Sequence, residues 1–261
     1  MNTGVAIPVA LVLALLLIGW RVHVSGAGFQ TWFLYQVARV YTTVMFRLQT
    51  RGRRTVPKDD AVLIISNHTS PVDPMLIWAD LRRCYSGSCI RRPGFMMARE
   101  YYEMGGIPGW IFRVMESIPL DRNGRDMGPA RAALQRLKDG RIVSVFPEGR
   151  INDESPDEKL LPGDTGAAWL ALKAQVPVIP ILIQNAPRGT TMGNSFLVRT
   201  RSTLTYGDPI DLSAWHGQRP TQKMLVEITD LIMQQLASLG NMKAAPSGEA
   251  NVESQEPSLG S

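Results

Sequence analysis

Cysteine and histidine are scarce in this 261-residue chain, which has two cysteines and three histidines. Neither Cys84 nor Cys89 has a histidine or a second cysteine pair near it in the sequence. This arrangement argues against a disulfide framework and against a cysteine–histidine metal site, and it fits two plain thiols in a reducing compartment. We therefore expect no bound metal.

Acidic residues are outnumbered, 23 against 28 basic ones, which gives a formal net charge of +5. That sign fits nucleic acid, an anionic membrane surface or a phosphorylated substrate as a partner. Hydrophobic residues make up 44% of the chain, enough for one sizeable globular domain with appendages. The apolar N-terminus makes nucleic acid the least suitable of the three partners.

Charge is missing altogether from residues 5–20 (VAIPVALVLALLLIGW). A helix of that length measures about 24 Å, slightly less than a hydrocarbon core of about 30 Å. No Lys or Arg precedes the run and Arg21 follows it at once, unlike a cleaved signal peptide. We predict an uncleaved anchor that spans the cell membrane or dips into it, with the folded domain on the cytoplasmic side.

Residues 28–48 (GFQTWFLYQVARVYTTVMFRL) predict a second helix, aromatic and apolar with isolated arginines. Such a helix can lie in the membrane interface or pack on the domain, and the two roles are compatible. The basic cluster at residues 51–54 is typical of a segment facing anionic lipid, or of a solvated charged surface. We expect an anchor and interfacial helix over 1–50, a folded domain over 51–240 and a disordered tail over 241–261.

Residues 60–210 alternate short β-rich runs with helical segments and show no internal repeat, which predicts an α/β domain. We expect a mixed, largely parallel sheet flanked by helices, behind the N-terminal two-helix segment. The predicted strands are 61–66, 118–120, 141–146, 178–183 and 196–206. The predicted helices are 74–83, 109–116, 126–140, 163–174 and 221–239.

Polar clusters follow two of the predicted strands. Asn67 and His68 end the first strand, and Pro147-Glu148-Gly149-Arg150 ends the strand that starts at Arg141. Ligands of α/β sheets bind beyond the carboxyl ends of the strands. If these strands are parallel neighbours, the two clusters meet in one site.

His68 is a candidate general base, because a neutral imidazole can accept a proton near pH 7. Asp73, five residues later, can hold the ring by accepting a hydrogen bond from one nitrogen. Asp73 also precedes a proline and would make a good N-cap for the next helix. Both roles can hold together, since a cap fixes the carboxylate in place.

The sequence FPEGR, residues 146–150, places a carboxylate, a glycine and a guanidinium at a strand end. Arg150 and Arg122 are suited to holding a phosphate with paired hydrogen bonds. The alternative is a pair of surface arginines in contact with Asp121 or Glu148.

Four segments together resemble the lysophospholipid and glycerol-phosphate acyltransferase family, whose bacterial type member is 1-acylglycerol-3-phosphate acyltransferase. They are NHTSPVD, ESIPLDR, FPEGR and VPVIPI, and they occur in the family's order over residues 60–212. Two positions depart from the family pattern: Glu116 stands where a glycine is usual, and Arg150 follows Gly149 without an intervening Thr or Ser.

The resemblance implies an O-acyltransferase with a glycerol-phosphate acyltransferase-like fold. His68, oriented by Asp73, would act as the general base on the sn-2 hydroxyl of 1-acylglycerol 3-phosphate, and phosphatidic acid would be the product. The acyl donor would be acyl-CoA or acyl-carrier protein, with no metal or prosthetic group, and a phospholipid membrane would be the other partner. The substrate-binding residues implied are Asn67, Arg122, Glu148, Gly149 and Arg150.

Three alternatives stay open. The first is an acyltransferase of the same family that acts on another lysophospholipid or on glycerol 3-phosphate. The second is a non-catalytic lipid-binding scaffold, which would not require both His68 and Asp73. The third is a hydrolase that uses Ser66 or Ser70 with His68, although the chain lacks a Gly-x-Ser-x-Gly elbow.

Overall fold

The computed structural model describes residues 3–52, 56–57, 60–81, 89–121 and 126–247, except for the side chains of residues 3–11 and of Met192. Nine α-helices and one short 3-10 helix, Ser213–Trp215, lie in this part of the chain. The α-helices are α1 (Thr3–Ser25), α2 (Gly28–Val44), α3 (Asp73–Leu81), α4 (Arg99–Tyr102), α5 (Gly106–Val114), α6 (Gly128–Lys138), α7 (Gly166–Ala174), α8 (Met192–Ser195) and α9 (Gln222–Ser238).

A seven-stranded sheet and a separate two-stranded one account for the strands of the described residues. The strands are β1 (Gln49–Gly52), β2 (Val62–Ser66), β3 (Gly94–Ala98), β4 (Ile118–Leu120), β5 (Ile142–Val145), β6 (Lys159–Leu160), β7 (Val178–Gln184), β8 (Thr203–Tyr206) and β9 (Lys243–Ala244). The large sheet has the order β1-β8-β7-β2-β5-β3-β4. Strands β7, β2, β5, β3 and β4 run parallel, β8 is antiparallel to β7, and β1 is parallel to β8. This confirms the predicted mixed, largely parallel sheet.

The central strand β2 is buried on both faces, as its unbroken apolar sequence predicts. Its side chains alternate between two cores. Ile64 packs in the core that contains α2 and α3, while Leu63 and Ile65 pack in the core that contains α6, α7 and α9. The sheet is therefore covered by helices on both faces, and its strand ends are held in fixed positions.

Helix α2 has one face in the domain core and one face open. Tyr35 and Ala38 are buried, and the Tyr35 hydroxyl donates to the Ala79 carbonyl at 3.2 Å. The open face presents Phe29, Phe33, Val37, Val40 and Val44. The helix thus packs on the domain and also keeps an apolar face available for an interface.

Helix α1 exposes apolar side chains along its described part, residues 12–24. Within the described residues, no single helix combines the length and hydropathy needed to cross a bilayer. The segments Val12–Ser25 and Gly28–Val44 meet that requirement only as a pair, with a bend of 98° between them. Membrane anchoring stays a prediction.

Several predicted boundaries differ from the structure. Strands β1 and β3 were not predicted, and of the predicted strand 196–206 only Thr203–Tyr206 forms. Within the predicted disordered tail, residues 241–247 are ordered, because β9 pairs with β6 and the Ser247 amide donates to Asp230 at 2.8 Å. The rest of the tail, residues 248–261, lies outside the described residues.

Candidate active site

The ends of β2 and β5 meet as predicted. The two strands pair in parallel, with Ile65 opposite Val145, so the segments that follow them leave the sheet side by side. The backbone N–H of His68 donates to Glu148 Oε1 at 2.9 Å, and its carbonyl accepts from the Asn152 amide at 2.7 Å. Both peptide groups of His68 are therefore held by the segment that follows β5.

The His68 side chain is held by Asp73. The ring nitrogen Nδ1 lies 3.1 Å from Asp73 Oδ2, and the same oxygen accepts the backbone amides of Thr69 at 2.6 Å and Ser70 at 2.8 Å. Asp73 is fully buried, whereas the His68 side chain is 20% exposed. A carboxylate at Nδ1 favours the tautomer with its proton there, which leaves Nε2 as the acceptor.

Asp73 is the first residue of α3, but its carboxylate binds the loop before the helix. The predicted contact with His68 is present, whereas the carboxylate accepts from the loop before α3 and not from the first turn of that helix. One oxygen serves both the ring of His68 and the two amides that follow it. Loop conformation and ring orientation are fixed together.

Phe146 forms the other wall of the histidine site. Its ring stacks on the His68 ring with 4.3 Å between centroids and 19° between planes, and Phe95 stacks behind it at 6.2 Å. Stacking restricts rotation of the imidazole about its side-chain bonds. Because Asp73 holds an edge of the ring and Phe146 holds a face, Nε2 has one orientation.

Glu148 is buried and makes two contacts with the backbone. Oε1 accepts from His68, and Oε2 accepts from the Leu161 amide at 3.0 Å. Burial raises the pKa of the Glu148 carboxyl to about 7, although both backbone hydrogen bonds act in the opposite direction. Each oxygen has a backbone donor, so the carboxyl joins two loops of the site.

Asn67 is also occupied by the backbone. Its side-chain amide donates to the Ile183 carbonyl at 2.9 Å, and its oxygen accepts the Ile183 amide at 2.7 Å. The residue is fully buried. It extends the pairing between β2 and β7 by one side chain, just before His68.

Gly149 and Arg150 lie at the surface of the site. Gly149 has φ of +66°, a conformation that suits glycine, and its amide donates to Phe146 in a tight turn. Arg150 is exposed and has neither hydrogen bond nor ion pair with any described residue. Arg122 lies outside the described residues, while its neighbour Asp121 pairs with Arg99 at 2.7 Å.

The two candidate serines lack the geometry of a nucleophile. Ser66 and Ser70 are both fully buried. Their hydroxyls donate to the backbone carbonyls of Asn67 and Pro187. Neither hydroxyl donates to the ring of His68, which argues against the hydrolase alternative.

Glu116, one of the two departures from the family pattern, lies just before β4, the edge strand on the side of the sheet away from β1. Its φ is +54°, so the backbone keeps the turn that a glycine would adopt. Its carboxylate pairs with Arg92 at 2.6 Å and with Arg141 at 2.9 Å. These ion pairs hold an unfavourable backbone conformation without touching the histidine site.

The segment VPVIPI forms the start of β7. Ile179 and Ile181 pack in the core that contains α2 and α3, and Val178 packs in the core that contains α6, α7 and α9. The segment therefore supports the sheet beside β2.

Some residues of the site were missed from the sequence. The Asn152 amide and the Phe146 ring contact His68 directly. The amides of Thr69 and Ser70 act through Asp73, because both donate to the carboxylate oxygen that contacts the His68 ring. Backbone amides carry no residue-type signal. Phe146 was part of a recognised segment, and its place one residue before Pro147 gave no indication that its ring meets the histidine.

Comparisons with known proteins agree with this geometry. The family model described as Acyltransferase matches residues 47–184, more than half of the chain. The 1-acyl-sn-glycerol-3-phosphate acyltransferase of Bacillus subtilis is 21% identical over 209 residues, which cover 80% of this chain and 96% of that protein. N-acylphosphatidylethanolamine synthase of Arabidopsis thaliana is 30% identical over 149 residues, 56% of this chain and 49% of that protein.

A solved structure has the same fold. The crystal structure of the 1-acyl-sn-glycerophosphate acyltransferase PlsC from Thermotoga maritima aligns with a TM-score of 0.56 and 20% identity, over 80% of this chain and 81% of that one. The sheet, the helices on both its faces and the matched segments at the strand ends all lead to one conclusion. The chain belongs to the acyltransferase family.

Proposed function

We propose that this acyltransferase moves a fatty acyl group from acyl-CoA or acyl-carrier protein to the sn-2 hydroxyl of 1-acylglycerol 3-phosphate, giving phosphatidic acid. The single observation that carries the proposal is the contact of His68 Nδ1 with the buried Asp73 carboxylate at 3.1 Å. Acyl transfer to a hydroxyl requires a base held in one orientation, and this pair supplies it. The similarity to the Bacillus subtilis enzyme supports the choice of acceptor.

The proposed reaction needs one base and an activated donor. His68 Nε2 takes the proton of the acceptor hydroxyl while the oxygen attacks the thioester carbonyl carbon. The carbon–sulfur bond then breaks, and the leaving thiolate takes the proton from the imidazolium. Asp73 stabilises the charged ring between these steps. A thioester is already activated, so we write the reaction without metal or prosthetic group.

The acceptor's phosphate is proposed to bind at the segment that follows β5. Arg150 has no partner among the described residues, and an exposed guanidinium can form paired hydrogen bonds with phosphate oxygens. Gly149 lets the chain turn there without a side chain in the way. Arg122 is proposed as a second phosphate ligand on sequence grounds alone.

Glu148 and Asn67 receive a different role from the one the resemblance implied. Because the contacts of both side chains are with backbone groups, we propose that they position His68 and its loop. Both oxygens of the Glu148 carboxyl already accept backbone amides, so the carboxyl is committed to the two loops and not to a phosphate.

We propose that the enzyme works on a cell membrane, with the N-terminal helices in the bilayer and the acyltransferase domain on the cytoplasmic side. The exposed apolar side chains of α1 and of the open face of α2 support this attachment. Both substrates carry long acyl chains, so a site held against the bilayer can receive them without transfer through water.

A second candidate is acyl transfer to another acceptor, such as a different lysophospholipid or glycerol 3-phosphate. The similarity to N-acylphosphatidylethanolamine synthase supports it, because that name describes a different acceptor. The test is product formation by the full chain with a panel of acceptors and both donors. We expect the highest kcat/KM with 1-acylglycerol 3-phosphate. Turnover of another acceptor alone would favour the second candidate, and lipid binding without turnover would favour the scaffold alternative.

A further inference from the structure

Three exposed arginines lie at the same end of the sheet as His68, the end at which β2 and β7 stop and β8 and β1 begin. They are Arg47, Arg199 and Arg201, which we call the arginine rim. Residues 199–202 pair with the segment between α2 and β1: the Thr200 amide donates to Met45 at 3.3 Å, and the Ser202 amide donates to Phe46 at 2.9 Å. The three arginines are thus carried on two adjacent stretches of backbone.

The side chains of Arg199 and Arg201 face away from the protein. In an extended segment, alternate residues point to opposite sides. Thr200 and Ser202 point inward, because their hydroxyl oxygens lie 3.0 Å apart and Ser202 Oγ donates to the Asn185 carbonyl at 3.1 Å. Arg199 and Arg201 are left on the outer side, where both are exposed.

No described acidic side chain pairs with the arginine rim. None of its three guanidinium groups has an ion pair or hydrogen bond within the described ranges. The exposed Arg99, by contrast, is neutralised by Asp121. The rim therefore keeps three positive charges free for an external anion.

The arginine rim continues an apolar surface. Leu197, 72% exposed, lies beside α2, because the Tyr41 hydroxyl donates to the carbonyl of its neighbour Phe196. Val40 and Val44 on the same helix are 65% and 57% exposed. Apolar side chains bordered by unpaired arginines match a bilayer, where hydrocarbon lies below a layer of phosphates.

Hydrogen bonds along this end of the sheet connect the arginine rim to the active site. Asn67 bonds to Ile183 in β7, and Asn185 just beyond β7 accepts from Ser202, next to Arg201. Strand β8 starts opposite the end of β7, and β7 is parallel to β2. The arginine rim and His68 therefore lie at the same end of the sheet. A surface that binds the rim therefore also faces the catalytic histidine.

We propose that the arginine rim binds the phosphate groups of an anionic bilayer and so makes membrane binding selective for anionic lipid. This inference rests on the membrane attachment proposed above and adds its lipid selectivity. The apolar face of α2 supplies binding that is indifferent to headgroup charge, and the rim supplies the part that depends on it. High salt weakens the second part and leaves the first.

The test is binding of the full chain to vesicles of phosphatidylcholine, with and without phosphatidylglycerol. The variants are the double substitution Arg199→Ala/Arg201→Ala and the control Arg131→Ala/Lys138→Ala. The control removes the same charge from exposed positions of α6, which packs on the opposite face of the sheet. We expect the rim variant to bind vesicles with phosphatidylglycerol about 30-fold more weakly. Its binding to phosphatidylcholine alone, and both values for the control, should stay near wild type.

Other outcomes overturn the proposal. An equal loss of binding to both kinds of vesicle, or no loss of binding to either, would show that the arginine rim does not make binding depend on lipid charge. Lower turnover of a short-chain acceptor dissolved below its aggregation limit would assign the arginines to the substrate. A loss seen only with acyl-carrier protein as donor would assign them to that acidic protein. Vesicle binding is measured without any reaction taking place. A wild-type protein that binds anionic vesicles selectively but transfers no acyl group would therefore overturn only the proposed reaction.

Discussion

A single carboxylate oxygen, Asp73 Oδ2, accepts the ring N–H of His68 at 3.1 Å together with two backbone amides of the same loop. The other oxygen is buried and has no hydrogen-bond partner among the described residues. The donors to Asp73 among the described residues thus all lie on the oxygen that faces the histidine. The ring cannot change its orientation without breaking the loop that carries it.

Replacement of Asp73 tests this relationship. In Asp73→Asn the side-chain oxygen can still accept the amides of Thr69 and Ser70, but the charge that stabilises the imidazolium is gone. We expect kcat to fall by about 10²- to 10⁴-fold, with little change in Tm. Steady-state kinetics and thermal unfolding check this. Wild-type kcat in the variant would show that His68 needs no charged partner.

Glu148 makes stability depend on pH in a defined direction. Its folded-state pKa of about 7 lies above the ordinary value of 4.5, so the folded protein binds the extra proton between these limits. Its contribution to stability is therefore present below pH 4.5 and is lost as pH rises to about 7.

The variant Glu148→Gln removes this titration. The difference in unfolding free energy between wild type and the variant should become less favourable to wild type by about 3 kcal/mol between pH 4.5 and pH 8. Urea unfolding of both proteins between pH 5 and pH 8 measures most of that change. A difference that stays constant across this range would contradict the assigned pKa.

Asn67 is expected to act on stability. Asn67→Ala leaves the buried amide and carbonyl of Ile183 without partners, which should cost about 2 to 4 kcal/mol of unfolding free energy. The KM for the acceptor should stay near its wild-type value in the folded fraction. Urea unfolding and KM measured on the same preparation decide the role, because a substrate ligand would raise KM and leave stability intact.

Arg150 is expected to act on substrate binding. Because its guanidinium has no described partner, Arg150→Ala should leave Tm unchanged and raise KM for a phosphate-bearing acceptor about 10- to 100-fold. A monoacylglycerol without phosphate should be used equally by both proteins. Arg131→Ala, an exposed arginine on α6, is the matched control. An unchanged KM would place the phosphate elsewhere.

The fold and the paired strand ends could be predicted because their signals are local. The apolar run at residues 61–65 indicated a buried strand, and polar residues directly after it marked the site. Strand β1 escaped prediction because its sequence, Gln-Thr-Arg-Gly, is polar and forms an exposed edge held by β8. Strand β3 starts with glycine, which is depleted in strands.

The contacts that position His68 could not be read from the sequence. They join the loop after β2 to backbone groups after β5, such as Asn152, and to a ring, Phe146, from the same segment. For a similar reason, the sequence did not show which side chains of residues 199–201 face outward. The alternation of Arg199, Thr200 and Arg201 suited a strand, and only the pairing with Met45 and Phe46 shows which side is open.

We propose that His68 is the base for acyl transfer. The most direct test is the rate of phosphatidic acid formation from 1-acylglycerol 3-phosphate and a long-chain acyl-CoA, for wild type, His68→Ala and the control His216→Ala, which alters an exposed loop histidine. With equal Tm values, we expect His68→Ala to lose about 10²- to 10⁴-fold in rate and the control to lose none. Wild-type turnover in a folded His68→Ala protein would contradict it.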